Sequence, residues 1–544
     1  MSTEAPAHQG TYGVDRGRIM RTGIFNLVGA GVSAVAGLAL TVVVTRGFAA
    51  DVAGVLFSLT SVFLILSAAA VLGAETGVVY LLAQQRVTGA TDRIGATVRV
   101  AAAPVAAASL VLAVGLWFAA PWFVETTLPD APSGTVAAVR VFAVFLPASA
   151  LTSVFLAVGR GLGTTRPHVL VDRVLRPGLQ LVGAGAVLAA GLSGSVALAL
   201  SWVLPYALGV AIALVWALRL RRSAERGGAR PQPPDRADWS RFWRYSTPRA
   251  GTGLAQLALQ RLDVVLIAAL RGPVDAALYT AATRFLVIGQ LGGQSLATAV
   301  QHRFSGLLAQ DRHDEANQMY KMTTTWLITL MWPFYLLWAI FGAQLMAVFG
   351  DGYAAGATAG RVGVVLSLAM LVATACGMVS TVQEMAGNTG VAFFQTMLAL
   401  AVNVVLDLIL IPRLGILGAA LGWAAALLLK NLLPLVQLQV RHQLSPLCRA
   451  GFIAMGSAVG CFAGIPLAAR AVLGAHVLVD VAAVLVAVVA YAALVWYNRQ
   501  TLQLAGLRGL RRRGAKARAA TEPEPQPESL LSGERAVSGE KTLR

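Results

Sequence analysis

Apolar runs of roughly 20 residues, separated by short polar or basic corners, recur along almost the whole chain. A bilayer core of ~30 Å takes about 20 apolar residues per helix. The pattern predicts spans over residues 24–45, 52–74, 98–120, 136–158, 169–190, 195–218, 247–270, 276–299, 323–349, 360–384, 392–411, 416–438, 450–470 and 474–497. The expected fold class is therefore all-α, a polytopic membrane protein of about 14 helices. It divides into an N-terminal bundle over 24–218, a C-terminal bundle over 247–438, and two additional helices over 450–497.

The polar segments orient this array. Odd-numbered connections carry isolated basic residues such as Arg46, Arg271 and Arg413, and one holds the acidic Glu125 and Asp130. Even-numbered connections carry Arg86 and Arg93, Arg160 and Arg166, the run "RLRRSAERGGARPQPPDRADWSRFWR", and then Arg303, Arg312 and Lys321. "RRRGAKAR" follows the last span. The positive-inside rule then places both termini in the cytoplasm, in agreement with an even number of spans. Residues 1–23 form a cytoplasmic leader, since the apolar segment after them is too long for a cleaved signal peptide. Residues 219–246, with Pro231, Pro233 and Pro234, are expected to be a flexible cytoplasmic linker. Residues 498–544 form a tail, basic at first and then disordered, polar and Pro-rich.

Composition supports this picture. Of 544 residues, 57% are hydrophobic and 12% charged, about half the charge density of a soluble domain. The net charge of +18 lies mostly in short loops, where it anchors helices to an anionic leaflet. No basic patch with interleaved aromatics lies on a soluble segment, which excludes nucleic acid as a partner. Cys376, Cys448 and Cys461 are isolated, so neither a disulfide framework nor a metal site is expected. His302 and Asp311 show no catalytic spacing, and no phosphate-binding Gly loop occurs. No catalytic residue is assigned, and the chain is read as a non-enzyme.

One corner is written twice. "RGFAADVAGVLFSLTSVF" (46–63) joins the first two spans, and "RGPVDAALYTAATRF" (271–285) joins the seventh and eighth. A gap of about two residues aligns Ala53 with Ala276 and Thr60 with Thr283. Six spans separate the copies, so both hairpins share one orientation, as in transporters built from parallel repeats.

Three segments resemble the polysaccharide flippases of the multidrug/oligosaccharidyl-lipid/polysaccharide exporter superfamily. They are "NLVGAGVSAVAGLALTVVVTRGFAADVAGVLFSLTSVF" (26–63), "DVVLIAALRGPVDAALYTAATRF" (263–285) and "NVVLDLILIPRLGILGAAL" (403–421). The resemblance runs in order to about residue 440. It implies two pseudo-symmetric six-helix bundles forming a V around a central cavity, in a bacterial cytoplasmic membrane. It also implies a lipid-linked oligosaccharide as substrate, with a polysaccharide polymerase or glycosyltransferases as neighbouring partners. Asp407 departs from the family, which often has a neutral Asn there, so helix packing around it is expected to differ.

Charges inside spans are the functional candidates, because each costs ~2.5–3.5 kcal/mol on insertion scales. Arg261 and Asp263 on the seventh span, and Arg284 on the eighth, fall in one layer roughly 10–14 Å below the outer edge at 1.5 Å per residue. Two guanidinium groups and one carboxylate leave an excess positive charge. Either a diphosphate supplies the missing anion, or Asp263 pairs with one Arg while the other snorkels. Arg249, Gly253, Gln256, Gln260 and Asp263 share one helix face, which lines water or a neighbouring helix. In the first span Asn26, Gly29, Ser33, Gly37 and Thr41 recur similarly, and tight packing is the better reading there. Lys430 is a deep cation whose neutralising carboxylate, if any, is remote in sequence. Arg46 and Arg140 near the outer surface, and Asp172, Arg173 and Arg176 near the inner one, are read mainly as anchors.

The candidate cationic cavity is thus Arg261, Arg284, Lys430, Arg249 and Arg46. Asp263, Gln256, Gln260 and Glu75 are its polar or coupling residues. No organic cofactor is expected, and Na⁺ or H⁺ is the coupling ion to consider. The leading function is a flippase that moves an undecaprenyl-diphosphate-linked oligosaccharide by alternating access for surface polysaccharide synthesis. A lipid II flippase for peptidoglycan and a cation-coupled multidrug exporter are alternatives. A membrane glycosyltransferase or polymerase is disfavoured by the short outer loops.

Overall fold

A computed structural model describes residues 16–225, 232–354, 357–385 and 389–502. The leader up to residue 15, residues 226–231 of the linker, and the tail from 503 onward lie outside the described residues. We number the α-helices of seven or more residues in chain order. In the first half they are α1 (Arg16–Gly47), α2 (Ala50–Val71), α3 (Ala74–Thr88), α4 (Ile94–Thr127), α5 (Thr135–Gly161), α6 (Arg176–Ala189) and α7 (Ser195–Glu225). In the second they are α8 (Arg236–Arg271), α9 (Pro273–Ala309), α10 (His313–Met346), α11 (Ala357–Ala375), α12 (Val379–Met385), α13 (Thr389–Leu414) and α14 (Ile416–His442). The last are α15 (Arg449–Val459), α16 (Ile465–Leu473) and α17 (Val477–Tyr497). Among the described residues there are helices and no strands, and 12 helical spans are long and apolar enough to cross a membrane. The expected count of about fourteen is not reached by that criterion. It omits α9 and the run over 166–189, where a π-helical stretch, Val169–Leu175, precedes α6.

Two boundaries differ from expectation for local reasons. The second span stops at Val71 because Leu72 and Gly73 both adopt left-handed backbone, with φ of 53° and 73°, and this starts the separate helix α3. Helix α8, which carries the predicted seventh span, begins at Arg236, well before residue 247, so much of the predicted linker is helical. Asp235 caps it: its carboxylate accepts from the Asp238 backbone N–H, and the Asp238 side chain reaches back to the Asp235 N–H. That bond, with help from Arg93, holds the Asp235 carboxyl below the usual carboxylate range. The cap is therefore intact at neutral pH and is lost as pH falls through the lowered value.

Helix α2 is the seam between the halves, packing against α8 and α9 as well as α5. A Cβ at Gly54 would collide with the Pro273 carbonyl, so the two repeated corners touch backbone to backbone. At the basic-rich end Gly73 and Gly77 leave room for Ser246. There the Tyr80 and Tyr245 rings stack with centroids 4.2 Å apart, and Arg93 bridges Asp235 at 3.2 Å and Asp238 at 2.9 Å. Gly54→Val is expected to lower the melting temperature sharply, because overpacking against backbone has no flexible side chain to yield and costs about 1–3 kcal/mol or more. A thermal unfolding curve of the detergent-purified variant checks this; an unchanged midpoint would contradict the seam.

An aromatic knot fixes the first bundle. Phe63 meets Phe142, Trp202 and Tyr206 with ring centroids 5.4, 5.6 and 5.3 Å away. It sets the positions of Trp202 and Tyr206 at the wall of the chamber described next.

Candidate functional site: a cationic chamber between the halves

A cavity of about 480 Å³ lies between the two halves. The first half contributes Ser33 and Gly37 from α1, Thr60 from α2, and Tyr206 from α7. The second contributes Gln260 and Arg261 from α8, and Arg284 and Gln290 from α9. The π-helical stretch before α6 ends against Arg176, and Arg173 and Arg176 both line the chamber. A π turn re-aims side chains relative to a regular helix, a feature frequent at functional sites.

The charge balance is strongly positive. Arg176 donates to the Tyr206 hydroxyl at 2.9 Å and pairs with Asp172 at 3.0 Å. Arg173, Arg261 and Arg284 have no ion-pair partner among the described residues. Arg261 and Arg284 line the same chamber as neighbouring like charges. Arg284 sits over the Phe57 ring at 5.9 Å, and the buried Nε atoms of Arg261 and Arg284 find no hydrogen-bond acceptor. Two guanidinium groups with unmet donors in a partly desolvated chamber have the chemistry to meet an anion.

Asp263 does not line this chamber. At 100° per residue, Asp263 lies about 200° round the helix from Arg261, on the opposite side of α8. There it is buried and accepts from the Tyr279 hydroxyl at 2.9 Å, with Asp407 of α13 as its electrostatic neighbour. Asn403 donates to Asp407 at 3.0 Å, one helical turn away on α13. Gly422 on α14 leaves the space that the Asp407 carboxyl occupies. Asp263 Oδ1, Asn403 Oδ1 and Asp407 Oδ1 are buried without a donor. Two acids and an amide thus neighbour one another in a dry site off the chamber, each with one buried oxygen that no donor meets.

Lys430 is also separate. It lines a second cavity, of about 360 Å³, inside the second half, with Gln256, Trp423 and Asn431. Gln260 and Gln290 border both cavities. The remote carboxylate left open for Lys430 is Glu384, which interacts with it electrostatically.

Three candidates fall outside the chamber. Arg249 is exposed; its guanidinium folds onto the Tyr245 ring at 3.8 Å and donates to the Tyr245 carbonyl, since its turn of α8 lies beyond the chamber. Arg46 donates to the Val348 and Ala347 carbonyls at 2.7 and 2.9 Å, tying the first corner to the segment after α10. Glu75, at the start of α3, pairs with Arg160. The stripe on α1 is mixed: Gly29 packs against Val169 and Arg173, Asn26 donates to Thr165, and Ser33 and Gly37 face the chamber.

The chamber and acid-pair residues that the sequence did not single out as site residues are Arg173, Arg176 and Tyr206 on the chamber wall, and Asn403 with Asp407 beside Asp263. The Asn403–Asp407 spacing of four puts both on one face of α13. Asp407 was singled out only as a departure from the family.

Comparison with known proteins follows this geometry. The MatE family model matches residues 248–409, which span α9 to α12 and parts of α8 and α13. No curated protein sequence matches the chain at a significant level. Among solved structures, a lipid II flippase MurJ in its inward closed conformation aligns with a TM-score of 0.66 at 11% identity, over 88% of this chain and 100% of that one. An inward-facing multidrug resistance MATE family transporter of the MOP superfamily aligns at 0.61 and 15% identity, over 78% and 98%. A MOP superfamily transporter from Pyrococcus furiosus, described as having a binding pocket of reverse polarity, aligns at 0.54 and 18% identity, over 78% and 95%. The chain therefore carries the fold of the MOP superfamily transporters, with a MatE match in its second half.

Proposed function

We propose that the protein is a flippase that carries a lipid-linked oligosaccharide, joined through a diphosphate to an undecaprenyl chain, across the cytoplasmic membrane by alternating access. The observation that supports this reading is the charge of the inter-bundle chamber: Arg173, Arg176, Arg261 and Arg284 against the single carboxylate Asp172. An exporter of cationic drugs needs the opposite sign there. A lipid II flippase needs the same sign, because its substrate carries the same diphosphate, so the two readings differ only in the glycan. The charge bias of the loops supports cytoplasmic termini, and movement from the basic-rich side outward.

The unmet oxygens of the neighbouring Asp263, Asn403 and Asp407 offer a hard donor set suited to Na⁺, and the two acids equally suit a shared proton. We assign the coupling ion to this site. A polysaccharide polymerase or glycosyltransferase that makes or consumes the glycan is the natural neighbour.

Binding of undecaprenyl diphosphate and of uncharged undecaprenol to the purified protein tests the substrate class. The diphosphate should bind at least tenfold more tightly at low salt, with the difference shrinking as salt rises. Equal affinities would remove the anionic substrate.

A further inference from the structure

A third cavity, of about 270 Å³, shares no lining residue with the chamber and lies at the basic-rich end of the second half. It is walled by the first turns of α10 (Gln318, Lys321), the start of α15 (Arg449), and the chain just after α17 (Thr501). Its floor is well built. The Trp326 indole N–H donates to the Leu502 carbonyl at 3.2 Å, and Thr325 meets the Cys448 sulfur at 3.4 Å. Leu502 is 2% exposed and packs with Ile328 and Ala454. On this apolar floor stand two cations, and neither Lys321 nor Arg449 has an ion-pair partner among the described residues. One turn deeper on the same face of α15, Phe452 is 59% exposed.

The geometry points to a site for the phosphodiester headgroup of a negatively charged phospholipid of the inner leaflet, with Lys321 and Arg449 on the phosphate and an acyl chain along Phe452. The apolar continuation distinguishes a lipid from a free phosphate, which has nothing to place on an exposed phenyl ring. Basic pockets between helices on the cytoplasmic side have this chemistry. The lipid would join the α15–α17 hairpin to α10, and the site does not depend on what the chamber carries.

Native mass spectrometry of the detergent-purified full-length protein with equal phosphatidylglycerol and phosphatidylcholine tests this. Phosphatidylglycerol should be preferred. Lys321→Gln and Arg449→Gln should each weaken it about fivefold, and the pair about 30-fold, with phosphatidylcholine unchanged and the melting temperature confirming a folded protein. The site is overturned if the preference survives the double variant, or if Arg261→Ala/Arg284→Ala abolishes it instead. Millimolar inorganic phosphate that displaces the lipid would reassign the cavity to a free anion and overturn the lipid assignment.

Discussion

Arg284→Ala is expected to reduce transport of a diphosphate-linked oligosaccharide by about 30- to 1,000-fold while leaving the protein folded in the membrane. The range follows from about 2–4 kcal/mol for removing one partner of a desolvated charge pair. Folding should tolerate the change because Arg284 supports no carboxylate: its electrostatic neighbour is Arg261, a like charge. Arg284→Lys should recover part of the loss, since it keeps the charge and gives up the planar fork. Arg261→Ala should behave the same way, and the double variant should show less than the sum, because the two groups address one anion. Proteoliposome transport assays and complementation of a flippase-null strain read these outcomes. Full activity in Arg284→Ala would remove it from the mechanism.

Asp407→Asn should abolish cation dependence while leaving diphosphate-lipid binding in place. Asp263 and Asp407 are 3% and 0% exposed, and two such carboxyl groups need a shared proton or a metal cation to balance them. An amide removes one charge and one hard oxygen. The site then neither needs nor holds the cation, and transport should fall at least tenfold. Varying Na⁺ at fixed pH, then pH at fixed Na⁺, identifies the ion in the wild type. A variant with unchanged rate and unchanged ion dependence would separate this acid pair from coupling. Asp263→Asn should match it, since Tyr279 still has an amide oxygen to donate to.

Much of the fold was legible because a bilayer imposes one length and one polarity on every span. Helix positions follow the apolar runs closely, and the duplicated corner marked the place where α2 meets α8 and α9. Boundaries failed where a short local signal outweighed composition. The Leu72–Gly73 break is written by two left-handed residues inside an apolar stretch, and the Asp235–Asp238 cap was hidden behind three prolines.

The chamber was half legible. Depth alone placed Arg261 and Arg284 together, but depth does not report which way a side chain faces, and Asp263 turned to the opposite side of α8. Arg173 and Arg176, read as anchors near the inner surface, line the chamber beside the π turn, which re-aims side chains in a way that residue counting cannot anticipate. Arg46 at the end of α1 and Arg249 on an exposed turn of α8 carry charge that backbone carbonyls and a neighbouring ring satisfy locally.

Access to the chamber tests the central claim most directly. Gly37 faces open space within it and tolerates a side chain. With Cys376, Cys448 and Cys461 replaced by Ala, Gly37→Cys should react with a membrane-impermeant maleimide from either face of oriented vesicles, and bound diphosphate-linked oligosaccharide should protect it. A thiol that reacts from neither face, or that the substrate leaves unprotected, would contradict a substrate chamber that opens to the two sides in turn.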